Sequence, residues 1–315
     1  QRNYELLKSS KKAIPCTNML SNVKEHISSS WLQRMAIERL EEKTETIKSI
    51  FINTNKDWQE TFYQLLAKNF GFQINSDAFY LLAKNTPLQL VYKHRNSLFQ
   101  FESLLFGQSG LLDDHLEDPY AQKLQNEYEF LRKKYSLIPI KKESWKYLRM
   151  RPVNFPTIRI AQFAALLFSS SHLFSKIMEG NSIEEIKQLF TSRPSEFWNT
   201  HYSFTSSSKS AVKTIGETAT SNILINTVAP LLFFYGKEKR DERFTERAIE
   251  LLFSIGAEDN KITREYSNSG LIPKNAGDSQ GMINLNKNYC KKFACLSCSI
   301  GNSVLKDESL TMVDN

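Results

Sequence analysis

Apolar residues recur every three or four positions along most of this 315-residue chain, the period of one face of an α-helix. In "SSSWLQRMAIERLEEKTETIKSIF" Trp31, Met35, Ile37, Leu40, Ile47 and Ile50 keep that spacing, and Ser30 is the expected N-cap. In "NKDWQETFYQLLAKNFGF" Trp58, Phe62, Leu65 and Leu66 form a stripe between a capping Asn55 or Asp57 and a stop at Gly71. "NSDAFYLLAKNTP" ends before Pro87, and a further helix starts with Pro87 in its first turn and closes at Gly107 and Gly110. "DPYAQKLQNEYEFLRKKYSL" places Leu124, Tyr128 and Leu131 on one side. Its last turn carries Arg132, Lys133 and Lys134, which suit the negative end of a helix dipole.

The pattern breaks at 136–156, where prolines stand at 139, 152 and 156. This predicts an N-terminal helical subdomain over 1–136, a C-terminal helical subdomain over 137–306 and a frayed tail over 307–315. Beyond the break, "FPTIRIAQFAALLFSSSHLFSKIME" is apolar on most faces and reads as one largely buried helix with His172 in the core. Ser182 and Glu185 have the spacing of a capping box. The segment from "RPSEFWNTHYSF" through "TSSSKSAVKTIG" reads as exposed and turn-rich. Three more helices are expected, in "ETATSNILINTVAPLLFFYG", "DERFTERAIELLFSIG" and "AGDSQGMINLNKNYC", with Pro230 kinking or splitting the first. No strand pair, fixed repeat or heptad is visible. The expected class is all-α, a multi-helix globular array without a substantial sheet.

Composition narrows the function classes. A 41% hydrophobic share supplies a core and excludes disorder. No apolar run approaches the roughly 20 residues a membrane span needs, so no membrane partner is expected. Four cysteines, three of them clustered, are not a disulfide framework, and a reducing compartment, the cytoplasm, is expected. The chain opens on Gln1, as the interior of a longer protein would. Forty-one basic against 34 acidic residues leave a net charge of +7, which favours an acidic partner such as nucleic acid.

The basic excess is concentrated between Ile140 and Ile160. Lys141, Lys142, Lys146, Arg149, Arg151 and Arg159 face a single acid, Glu143, and Trp145, Tyr147 and Phe155 lie among them. Arginine forks grip phosphates and aromatic faces stack on bases, so Lys146, Arg149, Arg151 and Arg159 are the candidate polyanion-binding residues. The alternative is a scaffold in which the aromatics are core and the arginines brace a helix corner, by ion pairs or by capping neighbouring carbonyls.

Cys290, Cys295 and Cys298 are candidate metal ligands, because thiolates two residues apart can close on one ion. Zinc or an iron–sulfur cluster fits, but the ligand set is incomplete: Cys16 or a histidine would have to arrive through the fold. Small buried core cysteines are the other reading. Lys291 and Lys292 could lower a thiol pKa, but no base accompanies them. Asp113, Asp114 and His115 could bind a hard cation, though a solvated loop accounts for them as well. There is no HExxH, no GxSxG and no phosphate loop, so no catalytic constellation is visible.

Several segments together, "FESLLFGQSGLL", "LRMRPVNFPTIRIAQFAALL", "LINTVAPLLFFYG" and "DSQGMINLNKNYCKKFACLSCSIG", resemble a bacterial family known as domain of unknown function 2851. "WLQRMAIERLEEKT" and "DWQETFYQLLAKNFGF" fit it too. The resemblance implies a soluble bacterial protein whose family carries a further N-terminal, nuclease-like region ahead of these residues. It carries over no catalytic residue.

Overall fold

The computed structural model describes residues 2–113, 115–180 and 182–306, and the expected tail and Asp114 lie outside them. Among the described residues there are sixteen α-helices and one small sheet, the antiparallel pair His201–Ser203 and Ser206–Ser207. The chain is all-α. It divides into two compact units, Gln1–Thr46 with Ala229–Asn315, and Ile47–Val228. The proline-containing stretch at which a subdomain boundary is expected falls inside the second unit.

Local chemistry explains where the helices begin and end. Asp57 caps the helix Trp58–Phe70 by accepting from the amides of Gln59 (2.8 Å) and Glu60 (3.1 Å). Asp118 caps Pro119–Tyr135 in the same way, with Pro119 in the first turn. Three expectations change. The helix Glu25–Asn53 begins ahead of Ser30. The helix expected from Pro87 to Gly107 is two helices, Leu88–Tyr92 and Leu98–Gln108, because Ser97 caps a new start by accepting from the amide of Gln100. The long buried helix stops at Ser169. There Ser169 and Ser170 donate their hydroxyls to the carbonyls of Leu166 and Leu189 and compete with helical bonding. His172 then takes a left-handed backbone, φ 59°, at the start of Leu173–Glu179, and it is exposed, not in the core.

Pro230 does disturb its helix. The run Glu217–Ile223 opens into a π-helical turn, Leu224–Val228, before Ala229–Lys239 resumes. Proline has no N–H to give the carbonyl four residues back. That carbonyl, Asn226 O, accepts from Asn69 Nδ2 at 3.0 Å.

In the second unit the helix Pro156–Ser169 is buried on every residue from Pro156 to Leu167. Phe163 packs against Tyr63, Phe70 and Phe79, with ring centroids 5.0–6.2 Å apart. One buried acid organises the far side of this core. Glu102 is fully buried and accepts from Tyr120 Oη (2.5 Å), Ser195 N (3.2 Å), Ser195 Oγ (3.0 Å) and Trp198 Nε1 (3.3 Å). Burial pushes its carboxyl pKa up while these donors pull it down. The segment after Trp198 is not wholly exposed as expected. Lys213 is buried and donates to the carbonyls of Trp198 (2.6 Å) and Asn199 (2.8 Å).

In the first unit Trp31, Leu32 and Met35 pack with Tyr266, Met282, Leu285, Ile300 and Val304. The helix Ala276–Asn288 approaches so closely at Gly281 that a Cβ there would collide with the carbonyl of Leu32.

Removing the Glu102 carboxylate should expose its role. Glu102→Ala leaves the Trp198 indole N–H and the Ser195 backbone N–H without acceptors, and leaves the Tyr120 phenol only Ser195 Oγ to donate to. It should destabilise the protein by roughly 3 kcal/mol or more in chemical denaturation. A loss under about 1 kcal/mol, the scale of one ordinary hydrogen bond, would refute the assignment.

Candidate polyanion-binding cleft

The basic stretch builds one wall of a cleft of about 740 Å³ in the second unit, lined by Arg149, Arg151 and Arg159. The opposite wall is the segment 214–222. Phe72, Ile74, Met150 and Val153 add apolar surface. Arg149 and Arg151 are exposed. Arg149 holds a left-handed backbone, φ 62°, which a side-chain-bearing residue adopts at a cost.

Arg159 is 7% exposed, in the first turn of the helix Pro156–Ser169. Its fork is held by neutral groups only. Nη1 donates to Gln162 Oε1 (3.0 Å) and Nη2 to Asn154 Oδ1 (2.6 Å). Gln162 is fixed in turn, because its Nε2 donates to the carbonyls of Lys213 (3.0 Å) and Thr214 (2.9 Å). The guanidinium lies 4.4 Å from the ring centroid of Phe72, a cation–π contact. Its Nε is buried and has no hydrogen-bond partner. Desolvation pulls its pKa down to about 10, which leaves it a cation at neutral pH.

Among the described residues, none of the three arginines forms an ion pair. The one acid in the lining, Glu217, is exposed. A cation this buried without a carboxylate costs several kcal/mol unless an anion arrives. The helix that carries Arg159 also begins without a side-chain cap, which leaves its positive end uncompensated by its own N-cap.

The other sequence candidates separate. Lys146 is exposed and does not line the cleft; Asn75 pins its backbone through bonds to Lys146 N (2.8 Å) and Lys146 O (2.9 Å). Trp145 is core, donating from Nε1 to Ser109 O at 2.8 Å, while Tyr147 and Phe155 are half-buried and meet edge to face. Asn154, Gln162 and Phe72, which complete the setting of Arg159, were not singled out in the sequence. The one signal for Gln162 is its place one helical turn after Arg159.

Cys290, Cys295 and Cys298 lie in the first unit, all buried and free, and the fold brings Cys16 to them. Burial pushes Cys16 up to about 12, and Cys290, Cys298 and Cys295 each add to the effect. Cys290 is likewise pushed up to about 12, chiefly by burial. Burial raises these thiols, the opposite of the shift that activates a nucleophilic cysteine. Among the described residues no three His, Cys, Asp or Glu side chains are arranged to hold a single metal ion; Asp114, part of the expected Asp113–His115 cation site, lies outside them.

A second polar cluster carried only a faint signal, the "DSQG" run. Gln280 Oε1 accepts from both Arg39 Nε (2.6 Å) and Lys43 Nζ (2.8 Å), and Gln280 Nε2 donates to Glu258. Burial, with Arg39 beside it, pulls Lys43 down to about 7. The unfolded chain therefore binds this proton more tightly than the folded protein, and stability should rise with pH from about 7 toward the ordinary lysine value. Lys43→Met should flatten the pH dependence of urea midpoints between pH 7 and 9 relative to wild type. Parallel curves for the two proteins would refute the assignment.

The sequence model of the family described as "Protein of unknown function (DUF2851)" matches residues 1–261. Cys290, Cys295 and Cys298 lie beyond the matched residues. No curated protein and no solved structure matches the chain. No helix among the described residues is long and apolar enough to cross a membrane.

Proposed function

The chain belongs to the family of proteins of unknown function DUF2851, and from that premise we propose that it is a binding module for nucleic acid, gripping the phosphate backbone in the arginine cleft of its second unit. The observation that carries this reading is Arg159, a buried cation with no carboxylate and one unsatisfied N–H, in the same cleft as two exposed arginines.

A bracing role through ion pairs would join these arginines to acids. Here neutral amides hold Arg159 in place and leave its charge uncompensated. Such a guanidinium is pre-organised: its rotamer is fixed before the anion arrives, so less entropy is lost on binding. Arg149 and Arg151 add mobile charge for the neighbouring phosphates. The apolar side chains of Phe72, Ile74 and Val153 supply surface for bases or sugars, as single-strand binders use.

Fluorescence anisotropy with labelled single-stranded and duplex oligonucleotides tests this. Affinity should fall steeply with salt, and the triple change Arg149→Ala, Arg151→Ala, Arg159→Gln should weaken binding at least tenfold. If all three arginines meet phosphates, the slope of log K against log salt should shrink by about 2 to 3. Unchanged affinity in a variant with wild-type circular dichroism would overturn the proposal. A large fall in melting temperature without any oligonucleotide binding by the wild type would favour the scaffold.

A further inference from the structure

The cysteines hold a second site, independent of the cleft. Cys290 and Cys295 are separated by four residues, and Cys295 and Cys298 by two. That is a spacing used by iron–sulfur ligands, with the fourth cysteine drawn from elsewhere in the chain. Here the fourth comes from upstream. Cys16 is the N-cap of the turn Thr17–Asn22, and Cys298 is the N-cap of the helix Ser299–Leu305. That turn and that helix pack on each other, which brings the two caps together. Cys290 and Cys295 each open a 3-10 turn, and the chain reverses between them at Phe293, φ 51°. Gly301 lets the loop fold back, since a Cβ there would stand 2.5 Å from the carbonyl of Cys295. All four cysteines belong to one packed apolar cluster of the first unit.

We infer that Cys16, Cys290, Cys295 and Cys298 are the ligands of an iron–sulfur cluster buried in the first unit.

Three observations favour this over core packing. Four free cysteines gathered in one apolar core form no disulfide. Donors converge on their sulfurs. Gly301 N–H gives to Cys298 Sγ at 3.3 Å, and Tyr266 Oη meets Cys290 Sγ at 3.3 Å. The Trp31 indole N–H is buried in the same cluster and has no hydrogen-bond partner there. Neutral thiols are weak acceptors, whereas cluster thiolates use such donors to stabilise their charge.

A single zinc ion is the weaker occupant. It draws four thiolates to about 2.3 Å from one centre, and no three side chains here are arranged around one ion. A cluster distributes its thiolates over several irons and so takes sulfurs that stand farther apart. Loading is ligand exchange without electron transfer. Each thiol bonds an iron of an incoming cluster, and the thiolate displaced from that iron takes up the proton. The cluster would tie the C-terminal segment 290–305 to the N-terminal turn, so folding and loading are coupled.

Anaerobic purification of the full chain, followed by reconstitution with ferrous iron, sulfide and thiol, tests this directly. The expected product is brown, with broad visible charge-transfer absorption and iron and acid-labile sulfide in equal amounts, two or four of each per chain. Cys16→Ser should lose most of both, as should Cys298→Ser. Wild-type chain that retains neither iron nor sulfide would overturn the inference, with or without folded variants. So would equimolar zinc without sulfide, or a Cys16→Ser protein that keeps the full cluster.

Discussion

The second unit is organised around a positive charge that the protein buries and does not neutralise. Arg159 stands in the first turn of a helix whose other faces are core, so its guanidinium cannot swing out to water without unpacking that turn. Asn154, Gln162 and Phe72 fix its orientation with neutral contacts. Gln162 reaches through Arg159 on one side and the carbonyls of Lys213 and Thr214 on the other, which couples the two walls of the cleft. On the proposed function, such a site meets an anion with its rotamer already fixed.

The contrast with Glu102 is instructive. Both residues are buried ionisable groups in the same unit. Glu102 is satisfied from every side by protein donors, so it reads as structure: it joins the start of one helix to the turn at Trp198. Arg159 keeps an unpaired N–H and lines a cleft, the two features on which the proposed function rests. Burial is common to the two, and the completeness of the hydrogen-bond shell separates them.

Much of the helical framework was legible from periodicity and caps: Asp57, Ser182 and the disturbance at Pro230 all stand where local chemistry places them. The breaks at Ser97 and Ser170 were not, because short polar side chains compete with helical bonding only when a particular carbonyl or amide is within reach. The arginines of the cleft could be picked out by composition, while Lys146 was separated from them by a backbone pinned to Asn75. What composition could not supply was the neutral character of Arg159's partners, since Gln162 and Asn154 are distinguished only by where the fold puts them. Likewise the thiol spacing was visible at 290–298, but Cys16 joined it through packing across most of the chain length.

The central claim is that the Arg159 Nε–H is reserved for an anion, and it can be watched at that atom. In an arginine-selective 15N NMR titration, adding a single-stranded oligonucleotide should shift the Arg159 Nε–H resonance and slow its exchange with solvent, with half-saturation matching the binding curve. If that resonance stays in place while the oligonucleotide binds, the anion sits elsewhere and the account of this cleft is wrong.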